Sequence, residues 1–69
     1  MEKLIVVGLN HDRTAVLCEG REEEIPLKSG GISLDEIDAA LQRVQESNHL
    51  KLFLYTDHFG RQVFTLSVM

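Results

Sequence analysis

The side chains best suited to chemistry in this chain are His11, His49 and His58, the thiol of Cys18, and the carboxylates of Asp12 and Asp57. Three imidazoles and a thiol are the donor types of a zinc site, which takes four such ligands in a tetrahedron, usually as closely spaced pairs. No two of them fall at a pair spacing, so no metal site is expected. Cys18 with a histidine would be a nucleophile and its base. A reactive thiolate needs a positive neighbour, whereas Glu19 is adjacent and Glu22, Glu23 and Glu24 follow on the facing strand, so the thiol reads as structural. Asp12 and Asp57 would work as an acid–base pair only if their turns met, and each already has a structural reason to stand in a turn. Gly30-Gly31 precede a helix N-terminus, the right place for an anion. No lysine follows, and Asp35 and Glu36 repel phosphate. No catalytic residue, metal or cofactor is expected, and the chain reads as a non-enzyme.

The elements that position these residues hang on one helix. Ser33 and Glu36 have capping-box spacing, and Ile32 and Ile37 occupy the two positions of a hydrophobic staple. From there Leu34, Ile37, Leu41 and Val44 recur at three- and four-residue spacing beside Ala40, predicting a helix over about 34–47 with one apolar face. Asp35, Glu36 and Asp38 suit its positive end, and Asn48 its stop. Ser29-Gly30-Gly31 form the clearest break before it.

Everything else reads as strand. The run Leu4 to Leu9 predicts a buried strand over about 3–9, with the polar turn Asn10-His11-Asp12-Arg13 after it. Strands over about 13–18 and 22–27 follow, joined by a turn in which Gly20 takes a positive φ. Pro26 lacks a ladder donor and places the third strand at an edge, where its glutamates discourage aggregation. Alternation predicts strands over about 50–56 and 61–68, joined by the type I turn Asp57-His58-Phe59-Gly60. The result is a single small α+β domain in β-β-β-α-β-β order, with one helix on a mainly antiparallel sheet. A β-grasp-like arrangement and a meander with a docked hairpin both fit.

Sixty-nine residues with 43% hydrophobic content make one globular domain near the lower size limit. A single cysteine permits no internal disulfide, the N-terminal apolar run is too short for a signal peptide, and no stretch reaches membrane-spanning length. A cytoplasmic location is expected. Net charge is −4, from 11 acidic and 7 basic residues, without a basic cluster to displace counterions, so nucleic acid is a disfavoured partner.

The segment Val7-Gly8-Leu9-Asn10-His11, followed by Thr14-Ala15, resembles the opening strand and loop of glutamyl-tRNA reductases. That family places its catalytic cysteine in a Ser-Thr-Cys-Asn-Arg segment. The corresponding stretch here is Tyr55-Thr56-Asp57-His58, without the cysteine, so no catalytic residue carries over.

One helix covers one face of a five-stranded sheet. With Leu50, Leu52, Leu54, Phe64, Leu66 and Val68 toward the helix, alternation sends Phe53, Tyr55 and Val63 to the other face, joined by Leu4 and Val6 or by Ile5 and Val7. An apolar patch on a small protein marks an interaction surface unless the sheet curls and buries it. The function expected is a small acidic regulator, adaptor or inhibitor that binds a protein with a basic surface. Phe53, Tyr55 and Val63 would dock, and Glu22, Glu23 and Glu24 would steer. A homodimer through the same face is compatible. Two other readings remain: a ligand- or metal-responsive sensor, if the histidine turns converge, and a small enzyme with a site between protomers.

Overall fold

The computed structural model describes residues 3–28 and 33–68. Within them run β1 (Leu4–Leu9), β2 (Ala15–Cys18), β3 (Ile25–Pro26), α1 (Leu34–Glu46), β4 (Leu50–Thr56) and β5 (Gln62–Val68). The α+β class and the element order are those the sequence predicts. All five strands form one sheet in the order β3-β2-β1-β4-β5, and every neighbouring pair is antiparallel. This is the meander with a docked hairpin: β1, β2 and β3 run as a meander, and the β4–β5 hairpin joins it through β1.

Two strands are shorter than their sequence patterns. β2 starts at Ala15 because Arg13 takes a left-handed φ of 60° and belongs to the preceding turn. β3 contracts from the expected 22–27 to Ile25–Pro26. Gly20 (φ 77°) closes a turn in which Arg21 N–H donates to Cys18 O at 3.2 Å, and the ladder resumes only at Val16·Ile25. The three glutamates between them stay exposed. Carboxylates gain nothing from a half-buried pleat, so they bow out of it.

The helix begins differently from its expected cap. Ser33 is the N-cap, with extended backbone (φ −81°, ψ 129°), but its hydroxyl makes no capping bond. The first turn is held by the backbone, Ile37 N–H donating to Ser33 O at 3.2 Å, and by the burial of Ile37 at 2% exposure. Ile32, half of the expected staple, lies outside the described residues, as does the Ser29-Gly30-Gly31 break. At the other end Ser47 turns extended and donates to Val44 O, one residue before Asn48.

The core lies between the helix and one face of the sheet. Val6, Val16, Cys18, Ile37, Leu52 and Leu54 are buried together, with Leu4, Leu9, Ala40, Leu41, Val44, Phe64 and Leu66 packed around them. The register explains the set, since Val6 stands between Cys18 on β2 and Leu52 on β4, and Leu52 faces Leu66 on β5. Val68, expected toward the helix, is 70% exposed at the strand end.

The sheet also curls. Its two outer strands meet at their tips: the Gln62 amide donates to Pro26 O at 2.9 Å, its Oε1 accepts from Lys28 N–H at 2.9 Å, and Lys28 Nζ donates to Gly60 O at 3.0 Å. The curl closes around the helix-facing residues, because Ile25 and Leu27 join that same core.

Candidate interaction surface

Alternation along the strands leaves a second apolar set on the face away from the helix. Ile5 pairs with Phe53 across β1·β4, Phe53 with Thr65, and Tyr55 with Val63 across β4·β5. The row continues through Val7 to Leu17, which pairs with Gly8 on β1. Ile5, Phe53, Tyr55 and Val63 are half-buried, and Val7 and Leu17 are 59% and 38% exposed. The curl of the sheet therefore does not bury this face. Of the two β1 pairs left open by the sequence, Leu4 and Val6 face the helix, and Ile5 and Val7 join the patch.

Val7 stands at a β-bulge. The β1·β2 register slips between Val6 and Gly8, so Val7 and Gly8 together oppose Leu17. A bulge adds one residue to a strand and re-aims its side chain. Here Val7, outward by alternation, and Gly8 share Leu17 as their partner. At the other end of the patch the Lys3 ammonium lies 5.8 Å from the Phe53 ring centroid, a cation–π contact. Sequence reasoning named Phe53, Tyr55 and Val63 but missed Leu17, although its place between inward-facing Val16 and Cys18 carried the signal.

The acidic segment is partly engaged. Glu22, Glu23 and Glu24 are all exposed, and Glu24 Oε2 accepts from Asn10 Nδ2 at 2.6 Å. That bond ties the β2–β3 connection to the β1–β2 turn and leaves Glu22 and Glu23 as the outward charges of the run.

The histidine-bearing turns end two antiparallel neighbours. β1 ends in the Asn10–Arg13 turn, and β4 runs antiparallel to it and ends in the Asp57–Gly60 turn. His11 and His58, and with them Asp12 and Asp57, therefore stand at opposite ends of the β1·β4 ladder. Among the described residues no three His, Cys, Asp or Glu side chains gather as a metal site would require. Cys18 is buried on the helix side, where burial pushes its thiol up. A cleft of about 350 Å3 between helix and β5 is lined by apolar groups such as Ile37, Ala40, Phe64 and Leu66, with Glu36 and Gln62 as its polar members.

The two turns share one design. Asn10 Oδ1 accepts from Thr14 N–H at 2.8 Å, and Asp57 Oδ1 accepts from Arg61 N–H at 2.9 Å, each four residues on. In both the fourth residue donates to the carbonyl of the first and has positive φ, Arg13 at 60° and Gly60 at 82°. Arg61 N–H is the main cause holding the Asp57 carboxyl below the usual range, aided by the Arg61 guanidinium and Phe59 N–H. Phe59 stands 70% exposed beside Arg61 and His58. Arg13 reaches the helix and pairs with Asp38.

Among the described residues no helix is long and apolar enough to cross a membrane. No protein-family model, curated protein or solved structure matches the chain.

Proposed function

We propose that this chain is a non-enzymatic protein-binding module, a small regulator, adaptor or inhibitor that docks through the open face of its sheet. The carrying observation is the diagonal row Leu17–Val7–Ile5–Phe53–Tyr55–Val63. It spans four strands on the face the helix does not cover, while an independent core occupies the other face. Aromatic and aliphatic groups at the centre with Lys3 and Lys51 beside them have the composition of an interface core and its rim. The net charge of −4 and the outward Glu22 and Glu23 favour a partner with a basic surface, mainly through the association rate.

The test is capture of binding proteins by wild type, Phe53→Ser and Tyr55→Ser, each checked for an unchanged far-UV spectrum. A partner held by wild type, lost by both variants and released by rising salt supports the reading. A partner retained by both folded variants contradicts it. Binding that is indifferent to salt removes the acidic contribution.

A further inference from the structure

The two edges of the sheet are built in opposite ways. Edge strands expose unpaired backbone groups, and proteins blunt them with short strands, proline, charge or bulges. The β3 edge uses three of these devices: it is two residues long, contains Pro26, and is flanked by Glu24 and Lys28. Within its own span the β5 edge uses none, although Arg61 precedes it and Lys28 covers its first residue. Gln62–Val68 is seven residues with no charge and no proline, and it pairs with β4 in unbroken register. Its composition matches the interior strands β1 and β2, which also carry no charge. Among the described residues, β5 has a strand neighbour on one side alone.

The ladder shows which groups β5 offers. Asp57 N–H donates to Arg61 O at 2.9 Å, which makes Asp57·Arg61 a hydrogen-bonded pair. Such pairs alternate along an antiparallel ladder. Tyr55·Val63, Phe53·Thr65 and Lys51·Ser67 therefore carry the bonds to β4, and Phe64, Leu66 and Val68 turn their N–H and C=O groups outward. Gln62, the remaining outward residue, sits where the Lys28 contacts cover the strand tip.

We infer that two copies of this chain associate through β5, pairing antiparallel about Thr65 into one continuous ten-stranded sheet. A second copy is the occupant the edge fits. The seam carries no charge, so two copies each bearing −4 meet without a like-charge contact along it. An uncharged edge has nothing with which to select a foreign strand electrostatically. Two-fold pairing about Thr65 sets Phe64 against Leu66 of the partner subunit in both directions, so both outward residues are satisfied and apolar groups on the helix side meet across the seam. The blunted β3 edge then stops further growth, and the assembly closes as a dimer rather than a fibre. The two-fold axis stands perpendicular to the sheet, so both open faces lie on one side and the apolar patch is doubled.

The test is solution mass by light scattering from micromolar to millimolar concentration, for wild type, Thr65→Glu, Thr65→Lys and an equal mixture of the two. Thr65 is exposed, so both substitutions leave the core intact. Wild type is expected at twice the 7.8 kDa chain mass. Each variant alone falls to half the wild-type value, because identical charges face each other across the seam, and the mixture returns to the doubled mass. Hydrogen exchange supplies a second readout: the amides of Phe64 and Leu66 slow with concentration, while those of Val63 and Thr65 do not change. A wild type monomeric at millimolar concentration overturns the inference. So does a dimer indifferent to charge at position 65, or one lost with Phe53→Ser instead.

Discussion

Both faces of the sheet carry apolar side chains, more of them toward the helix, and the two faces use them differently. Toward the helix, Val6, Val16, Leu52 and Leu54 interlock with Ile37 and are at most 3% exposed. Away from it, Ile5, Phe53, Tyr55 and Val63 are only half-covered by one another, and Val7 is mostly exposed. The first face has spent its hydrophobic free energy on folding. The second still has apolar area that a partner can remove from water.

The sharpest way to break this contrast is to truncate matched residues on the two faces. Leu52→Ala, at the centre of the core, is expected to cost roughly 2–5 kcal/mol in denaturant unfolding, because it leaves a cavity under the helix. Leu41→Ala should cost less, since Leu41 is only partly buried. A loss near zero for Leu52 would mean that the helix-covered face is not the core. The hairpin that carries Phe53, Tyr55 and Val63 depends in turn on Gly60. Gly60→Val places a β-branched side chain at φ 82° and is expected to lower stability by about 1–2 kcal/mol, measured as a shifted unfolding midpoint.

Truncation on the open face should cost less again. Phe53→Ser loses cross-strand contacts with Ile5 and Thr65, expected at about 1 kcal/mol by the same unfolding measurement. A loss as large as that of Leu52→Ala would place Phe53 in the core and remove the contrast.

The smallest effect is the pH dependence of the Asp57 turn. Its carboxyl titrates lower in the folded protein than in the unfolded chain, so across that interval the unfolded state binds more protons and stability rises with pH. The contribution is present above the ordinary carboxylate pKa and is lost as pH falls through the folded value. Asp57→Asn should therefore flatten the acid limb of an unfolding-midpoint profile as pH falls below the ordinary carboxylate pKa. An unchanged limb would show that the Arg61 and Phe59 bonds do not hold the charge.

The fold was largely legible because its signals are local. Apolar spacing at Ile37, Leu41 and Val44 marked the helix, alternation marked β4 and β5, and Pro26 marked the edge. What was not legible depends on contacts far apart in sequence. Nothing in an arginine asks for a left-handed backbone, yet Arg13 holds the conformation that glycine holds at position 60, in a turn whose pairing with Asp38 lies 25 residues away. The β1 bulge at Val7 and Gly8 is a matter of register against β2, and a continuous aliphatic run carries no mark of register. The Ser33 capping box was a sound local signal that the backbone bond and the burial of Ile37 made dispensable.

The most direct test of the docking face is photo-cross-linking from two positions on opposite sides of the molecule. A photoreactive aromatic residue at Tyr55 lies in the patch, and one at Gln45 sits on the exposed surface of the helix. The account predicts a protein adduct from position 55 and none from position 45. Adducts from position 45 alone, or equally from both, would contradict it.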